Sequence, residues 1–262
     1  MFKEGSIFQR VEKKYRMNPE QYQAFMERTK NRIHLDEFGL HTINNIYFDT
    51  DHYDLIRTSI EKPKYKEKFR VRGYGHVTEN DPVFLEIKKK YQGIVYKRRV
   101  AVPYLQAKAF WEGRGTLPDH DQISREITYF FKFYRPMPKV FLSYDRMAYV
   151  GAGDPELRIT IDRNIRSRKE HLDLTDGSAG KILDTQNYLM EIKVAQSYPI
   201  WLADLLCELE LYPISFSKYG TIYTNAVNDG VISVAAAEDD FDVIHELKTE
   251  KREENISCLQ VF

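Results

Sequence analysis

The 262-residue sequence is short of cysteine, of long apolar runs and of net charge. Its two cysteines, Cys207 and Cys258, lie far apart and outside any Cys-x-x-Cys pair, which argues against a disulfide framework and predicts a cytosolic protein with free thiols. No apolar run approaches the roughly 18 residues that span a bilayer, and the opening MFKEGSIFQR does not have the pattern of a signal peptide. We therefore expect a cytoplasmic protein.

The balance of charge makes local clusters informative. Lysine and arginine together number 39, as do aspartate and glutamate, so the formal net charge is zero. Nothing global therefore suggests binding to nucleic acid, and no nucleic-acid partner is expected. Any concentration of lysine and arginine in one place stands out against this neutral background.

The basic residues concentrate in segments that alternate like strands. In KEKFRVRGY, residues 66–74, the period of two places Phe69 and Val71 on one face. The opposite face carries Lys68, Arg70, Arg72 and Tyr74. The next segment, 84–90, repeats the pattern with Leu85 and Ile87 on one side. Its other side carries Glu86, Lys88 and Lys90.

Extended over the whole chain, such patterns predict eight strands and six intervening helices. The strands are expected at 7–16, 44–49, 66–74, 84–90, 95–103, 140–150, 157–165 and 188–194. The helices are expected at 19–30, 51–60, 105–112, 124–134, 201–211 and 217–228. Asn18 is a typical N-cap, Pro19 is favoured at the first helical position, Gly93 marks a hairpin turn, and Ser217 is a plausible cap of the last helix.

Short connections favour antiparallel pairing, and eight strands suffice to close a barrel. We therefore predict an α+β fold, an eight-stranded antiparallel barrel or tunnel with helices packed on the outside. The domain is expected over residues 1–228. Residues 229–262 are rich in acids and are expected to form an acidic C-terminal tail, with room for one helix at 241–251.

The charged positions of these strands share one sign to an unusual degree. Eleven of them are cationic: Lys14, Lys68, Arg70, Arg72, Lys88, Lys90, Lys97, Arg99, Arg146, Arg158 and Lys193. Only four are anionic: Glu12, Glu86, Asp162 and Glu191. Enclosing such a surplus without partners is costly, because each unpaired charge loses its hydration.

Two interpretations of these faces remain open. On a single strand, alternate lysine and arginine is usual for a face in contact with water, and cross-strand ion pairs also produce Glu-x-Lys patterns. A cavity that binds a polyanion explains the recurrence on many strands and the cationic surplus together. Arginine binds phosphate through paired donors, and the carboxylates would suit Mg²⁺ or Mn²⁺ together with phosphate oxygens.

An ordered set of motifs resembles the VTC domain, the catalytic domain of vacuolar transporter chaperone polyphosphate polymerases, within the triphosphate tunnel metalloenzymes. The motifs lie over roughly residues 5–225 in matching order. They are Glu12-Lys13-Lys14-Tyr15, Tyr47-Phe48-Asp49-Thr50, Lys68-x-Arg70-x-Arg72, Phe84-Leu85-Glu86-Ile87-Lys88, Ser143-Tyr144-Asp145-Arg146, Arg158-x-Thr160-x-Asp162, Glu191-Ile192-Lys193 and Ser217-Lys218-Tyr219. No single motif is specific, and the order of the set carries the resemblance.

The resemblance implies a site as well as a fold. The expected catalytic cations are Lys14, Arg70, Arg72, Lys88, Arg146, Arg158 and Lys218. Further substrate-binding residues are expected at Lys68, Lys90, Lys97, Arg99, Lys193 and Tyr144. Glu191 is expected to hold Mn²⁺ or Mg²⁺, with Glu86 and Glu12 as helpers. Without the resemblance, Lys218 would be interpreted as an exposed helix lysine.

The implied activity is transfer of the γ-phosphate of ATP to a growing polyphosphate chain. Two alternatives stay open: a triphosphatase of the same fold, and a non-catalytic module that binds polyphosphate or inositol phosphates. The expected partners are ATP and polyphosphate or triphosphate. The sequence lacks the membrane helices of the eukaryotic members, so coupling to transport would need a separate membrane-protein partner, which would place the protein at the membrane periphery.

Overall fold

The computed structural model describes residues 11–92, 94–118, 121–184 and 186–232. Several expectations lie outside these ranges and are not addressed by the structure. They are the first residues of the strand predicted at 7–16, the turn at Gly93, and the tail beyond residue 232 with its helix at 241–251.

The described strands form one antiparallel sheet. They are β1 (Val11–Met17), β2 (Ile33–Asp49), β3 (Tyr65–Tyr74), β4 (Pro82–Tyr91), β5 (Ile94–Pro103), β6 (Met137–Gly151), β7 (Asp154–Arg168), β8 (Lys181–Ile182) and β9 (Tyr188–Val194). The order across the sheet is β1-β9-β7-β6-β2-β3-β4-β5, and the two-residue β8 pairs with β7. All eight predicted strands are present within the described residues, and antiparallel pairing is confirmed.

The strand β2 is much longer than the predicted 44–49. Residues 33–43 extend it along the partner strand β6, with a register shift between Leu35 and Leu40. The sequence of this part alternates poorly between apolar and polar residues, so it contains no clear strand signal. Its backbone is also irregular, because Gly39 adopts a positive φ of 58°. Pairing with β6 supplies the order that the local pattern does not.

The path of hydrogen-bonded strands ends at β1 on one side and at β5 on the other. Among the residues that the structure describes, no strand pairing joins these two ends. The large antiparallel sheet is therefore established, whereas closure into an eight-stranded barrel stays a prediction.

Six helices accompany the sheet in the described part of the chain. They are α1 (Pro19–Thr29), α2 (Asp54–Ile60), α3 (Tyr104–Trp111), α4 (Gln122–Tyr134), α5 (Ile200–Glu208) and α6 (Lys218–Asn228). The predicted cap of α1 is confirmed, because the Asn18 side chain accepts from the Gln21 amide at 2.7 Å and the Gln21 side chain accepts from the Asn18 amide at 3.0 Å. None of the helices described here combines the length and the apolar character needed to cross a membrane.

The chain divides into two compact units, residues 1–220 and residues 221–262. Of the second unit the structure describes 221–232, which contain the rest of α6. The predicted domain boundary after residue 228 stays a prediction.

The apolar core lies on one face of the sheet, under the helices. One cluster packs strand residues such as Ile46, Phe69 and Leu85 against Ala107 of α3 and Ile127 of α4. A second cluster packs apolar residues of β1, β7 and β9 on the same side of the sheet against Phe25 of α1 and Leu202 of α5. Because the helices cover this face, the opposite face of the sheet is left for the charged side chains.

Candidate functional site

The register of the strands brings the predicted charged positions onto one face. Residues paired directly across antiparallel strands point to the same side of a sheet. Lys88 pairs directly with Lys68 and with Lys97, and Lys14 pairs directly with Glu191. We call this side of the sheet the charged face. It carries the eleven predicted cations, Lys218 from the start of α6, and the four predicted carboxylates.

One cluster on this face is built around Glu86, whose side chain is 2% exposed. Arg70 donates to Oε2 of Glu86 at 2.7 Å, Lys97 lies 2.8 Å from Oε1, and Nε of Arg72 lies 3.9 Å from Oε2. Burial acts to raise the pKa of Glu86, but the two arginines and the lysine outweigh it and hold that pKa at about 2. The carboxylate is therefore ionised and orients three cations.

Two residues of β2 complete this cluster. Tyr47 accepts from Nη1 of Arg70 at 3.0 Å, and Asn45 accepts from Nε of Arg72 at 3.1 Å. The charge pattern could not predict either residue, because both are uncharged. Their alternate spacing on a predicted strand was the only signal that could have placed them on this face.

A second cluster is built around Asp162, which is buried on β7. Arg146 binds it in a bidentate manner, with distances of 2.6 and 2.8 Å, and Nζ of Lys218 donates to Oδ2 at 2.6 Å. The two cations hold the pKa of Asp162 well below its usual range in spite of burial. The Lys218 side chain is only 13% exposed, so the interpretation as an exposed helix lysine is wrong.

The ring of Tyr144 supports the same two cations. It is buried, with Nζ of Lys218 4.4 Å and the Arg146 guanidinium 5.2 Å from its centroid. A cation over the face of an aromatic ring is attracted by the ring's quadrupole, so these contacts help to hold both side chains in place. Tyr144 thus lies beneath the cations rather than beside them.

A third cluster joins β1 and β9. Nζ of Lys193 lies 2.6 Å from Oε1 of Glu191 and 3.8 Å from Oε2 of Glu12, and Nζ of Lys14 lies 3.9 Å from Oε2 of Glu191. Burial tends to raise the pKa of Glu191, but Lys193 and Lys14 outweigh it and hold that pKa at about 2. The carboxylates of Glu191 and Glu12 thus both face the ammonium group of Lys193.

Two residues of this third cluster, Glu12 and Glu191, could contribute oxygens to a divalent cation. Hard divalent cations take carboxylate oxygens together with phosphate oxygens, and Glu12 and Glu191 already direct oxygens at a shared positive charge. Glu86 does not join them, because its oxygens are taken by Arg70 and Lys97. The described residues contain no group of three or more His, Cys, Asp or Glu that could hold a metal ion, so the three predicted carboxylates do not form one donor set.

The segment that leads into α6 crosses the charged face. Lys14 donates to the carbonyl of Phe216 at 3.0 Å, and Lys68 donates to the Ser217 hydroxyl at 3.1 Å. The Ser217 hydroxyl also accepts from the Gly220 amide at 3.2 Å, as expected of a cap. On β2, Asp49 accepts from the Tyr219 hydroxyl at 2.9 Å.

These contacts show that the sheet is strongly curved. Lys14 lies on β1 and Lys68 on β3, which are five strand positions apart in the sheet order. In a flat sheet five spacings amount to about 24 Å. Both lysines nevertheless reach adjacent residues, Phe216 and Ser217, so the charged face lies on the concave side.

Burial tunes some of the lysines of this face. It lowers the pKa of Lys68 to about 8, reinforced by the nearby Lys66, Lys88 and Lys14. The pKa of Lys14 is also lowered, first by burial, although Glu191 opposes the shift. Closely spaced ammonium groups of this kind are stabilised by an anion bound among them.

The remaining predicted site residues lie on the same face but make fewer contacts. Lys88 and Arg158 are exposed, Lys90 is half-buried, and the Arg99 guanidinium lies 4.8 Å from the centroid of the Phe84 ring. No ion pair joins Lys88, Lys90, Arg99 or Arg158 to a carboxylate within the part of the chain that the structure describes. These four cations add to the positive charge of the face without internal compensation.

Comparisons with known proteins agree with this architecture. The family model described as the VTC domain matches residues 9–226. A curated relative, vacuolar transporter chaperone complex subunit 4 of Schizosaccharomyces pombe, is 26% identical over 150 residues, which cover 49% of this chain and 21% of the relative. The chain thus spans about a fifth of the length of that relative.

One solved structure shares the fold at low identity, and a second gives a lower score. HpAC1 from Hippeastrum, described as having a dominant triphosphatase activity, superposes with a TM-score of 0.53 at 16% identity over 82% of this chain and 96% of that chain. A candidate adenylate cyclase from Bacillus halodurans gives a TM-score of 0.49 at 13% identity over 79% of this chain and 92% of that chain. The family match covers most of the chain, and the protein belongs to the VTC domain family.

Proposed function

We propose that this protein transfers the γ-phosphate of ATP to a growing inorganic polyphosphate chain in a metal-dependent reaction. The observation that carries the proposal is the concave charged face, on which the twelve cations named above outnumber the four carboxylates named with them. A chain of phosphates supplies the missing negative charge at a suitable density, and arginine and lysine are suited to bind it. Membership of the VTC family and the relative in a vacuolar transporter chaperone complex support this choice.

The proposal includes a tunnel. The curvature of the sheet brings β1 and β3 to adjacent residues of one segment, which supports a channel lined by the charged face. A channel of this kind would hold the three phosphates extended and would let a longer product pass along the same cations.

In this proposal the chain itself supplies positioning and charge neutralisation, which account for most of the catalysis of phosphoryl transfer. The clusters at Glu86 and Asp162 hold Arg70, Arg72, Arg146 and Lys218 in place before substrate arrives, so that little reorganisation is needed. Glu191 and Glu12 would hold Mn²⁺ or Mg²⁺, and the ion would neutralise charge on phosphate oxygens. The terminal phosphate oxygen of the growing chain would attack the γ-phosphorus of ATP, and the bond between the γ-phosphorus and the bridging β–γ oxygen would break, with ADP as the leaving group.

A triphosphatase reaction is the second candidate. It would use the same cations with water in place of the phosphate acceptor, and a carboxylate such as Glu12 would serve as general base. The described triphosphatase activity of HpAC1, which shares the fold, favours keeping this alternative.

One incubation separates the two reactions. Purified protein is mixed with γ-labelled ATP and Mn²⁺ or Mg²⁺, and the products are resolved by gel electrophoresis. A ladder of long labelled chains supports the polymerase, and free phosphate alone supports the hydrolase. If ATP stays intact with both metals, and inorganic triphosphate does too, the catalytic proposal is wrong and a binding role remains.

A matched pair of variants tests the face itself. Arg70→Ala removes a cation of the charged face. We expect activity to fall by about 10²- to 10³-fold, because a preorganised hydrogen-bond donor to the phosphates is lost. Arg98→Ala removes a cation from the opposite side of the sheet, where Arg98 lies 3.5 Å from Glu126, and should leave activity unchanged. Equal activity of the two variants would contradict the assignment of the charged face.

A further inference from the structure

Four aromatic rings form a continuous row across three strands. The centroids of Phe38 and His41 are 6.3 Å apart, those of His41 and Tyr74 6.0 Å, and those of Tyr74 and Phe84 5.8 Å. We call these four residues the aromatic row. The Arg99 guanidinium lies over the last ring, 4.8 Å from the centroid of Phe84.

The aromatic row lies directly beside the phosphate-binding cations proposed above. His41 pairs across the sheet with Arg146, and Phe84 pairs with Arg72. Directly opposed side chains have Cβ atoms about 5 Å apart. His41 and Phe84 therefore lie on the charged face, next to the Asp162 and Glu86 clusters, and so does Tyr74, two residues from Arg72 on β3. Phe38 lies in the register shift of β2 and joins the row through its ring contact with His41.

The exposure of these rings is not explained by packing. Phe38 is 68% exposed and Tyr74 is 42% exposed, and neither ring belongs to the apolar core clusters. The rings of Phe38 and His41 meet at 72°, and those of Tyr74 and Phe84 at 81°. A near-perpendicular contact sets the edge of one ring against the face of the other, so it covers a face of at most one of the two rings. The exposed area of Phe38 and Tyr74 is therefore available for stacking.

We infer that the aromatic row binds the nucleobase of a nucleoside triphosphate whose phosphates lie on the neighbouring arginines. Every nucleobase has a flat π-face that stacks on aromatic side chains and on guanidinium groups. A row of rings beside phosphate-binding cations therefore complements a ligand with a flat base at one end and a triphosphate at the other. A bare triphosphate has nothing to place there.

This inference rests on the proposed function, since it assigns a nucleotide-specific part to the same site. It predicts that the protein binds ATP more tightly than ribose 5′-triphosphate, which has the sugar and phosphates but no base. It also predicts that the preference depends on the aromatic row and not on the charged clusters.

The test is equilibrium binding by calorimetry with EDTA present, so that binding is measured without turnover. The ligands are ATP, ribose 5′-triphosphate and inorganic triphosphate. The variants are Phe38→Ala and Tyr74→Ala, and the control is Tyr129→Ala, which removes an exposed ring from α4 on the helix-covered side of the sheet. Phe38→Trp replaces the ring with a larger one and tests whether any aromatic ring at this position is enough to keep ATP binding.

We expect Phe38→Ala and Tyr74→Ala to weaken ATP binding by roughly ten- to hundredfold, the size of the loss of one stacked base. Affinity for inorganic triphosphate should change by less than about twofold, Phe38→Trp should keep ATP affinity, and Tyr129→Ala should change nothing. Thermal unfolding of each variant checks that the fold is retained.

The outcomes distinguish the two proposals. If the unmodified protein binds all three ligands equally, or if the variants lose inorganic triphosphate as strongly as ATP, the nucleobase subsite is wrong while the proposed function stands. If the unmodified protein binds none of them and also leaves γ-labelled ATP and inorganic triphosphate intact with Mn²⁺ or Mg²⁺, the proposed function fails, and the inference fails with it.

Discussion

Glu86 is a buried carboxylate between three cations, so its charge matters for both stability and binding. We predict that Glu86→Gln lowers the free energy of unfolding by about 3 kcal/mol, because it leaves the buried Arg72 and the partly buried Arg70 without a counter-charge. Inorganic triphosphate should then raise the melting temperature of the variant more than that of the unmodified protein, since the ligand replaces the lost negative charge. Thermal unfolding with and without the ligand measures both effects.

The control for this prediction is Glu27→Gln. Glu27 forms an exposed ion pair with Lys30 on α1, and its loss should not change the melting temperature measurably. If Glu86→Gln unfolds at the same temperature as this control, the Glu86 cluster does not stabilise the protein.

Lys68 predicts a pH dependence of ligand binding. Burial lowers the pKa of this lysine to about 8, so in the free protein its ammonium loses its proton as the pH rises through 8 rather than through 10.5. The positive charge is fully present below this range and is lost above it. We expect the affinity for inorganic triphosphate to fall more steeply between about pH 7 and pH 9 than in a Lys68→Arg variant, because arginine keeps its charge.

Calorimetry of both proteins at several pH values measures this difference. Comparing them removes the effect of the ligand's own ionisation, which is the same for each. Parallel pH profiles would show that the charge on Lys68 does not contribute to binding.

At the scale of single elements, the start of α1 depends on one side chain. Asn18 forms a capping box with Gln21, which satisfies amide groups that the helix itself cannot bond. We predict that Asn18→Ala lowers the free energy of unfolding by about 1 kcal/mol, measured by urea denaturation. Gln23→Ala, in the exposed interior of the same helix, is the matched control and should be neutral or slightly stabilising.

The segment before α6 shows how one element can gather several strands. Phe216 contacts Lys14 on β1, and Ser217 contacts Lys68 on β3. Lys218, the first residue of α6, contacts Asp162 on β7. The Ser217 cap was predictable because capping is local. Its second contact, with Lys68, was not predictable because the two residues are 149 positions apart in the chain.

At the scale of the whole molecule, net charge and local charge differ. The chain has a formal net charge of zero, yet its basic residues concentrate on the charged face. We predict that raising NaCl from about 0.05 M to about 0.5 M weakens inorganic triphosphate binding by at least about tenfold, because salt screens the attraction of the face for an anion. The melting temperature without ligand should change little, because the ion pairs at Glu86 and Asp162 are buried and screened much less.

Titration calorimetry and thermal unfolding over the same salt series check both parts. An affinity independent of salt would mean that the charged face does not attract the ligand electrostatically. A large fall of the ligand-free melting temperature over the same salt range would mean that the ion pairs at Glu86 and Asp162 are open to solvent.

The sequence by itself determined which residues share a face. Strand alternation is a local property, so the grouping of Lys68, Arg70 and Arg72 with Glu86 followed from spacing alone, and so did the apolar positions that the helices cover. The ordered motifs also indicated the family. The extension of β2 to Ile33 was missed because its order comes from pairing with β6 and not from its own pattern.

Only the tertiary structure decided which carboxylate holds which cations, how strongly the sheet curves, and which aromatic rings adjoin the arginines. Asp162 and Lys218 are 56 residues apart. Phe38 and His41 share β2, and the row reaches Tyr74 because β3 pairs with β2. Such contacts depend on strand order and register, which no short stretch of sequence contains. Glu86 was predicted as a metal helper from the family resemblance, and the fold surrounds it with Arg70, Arg72 and Lys97, so that its carboxylate orients three cations.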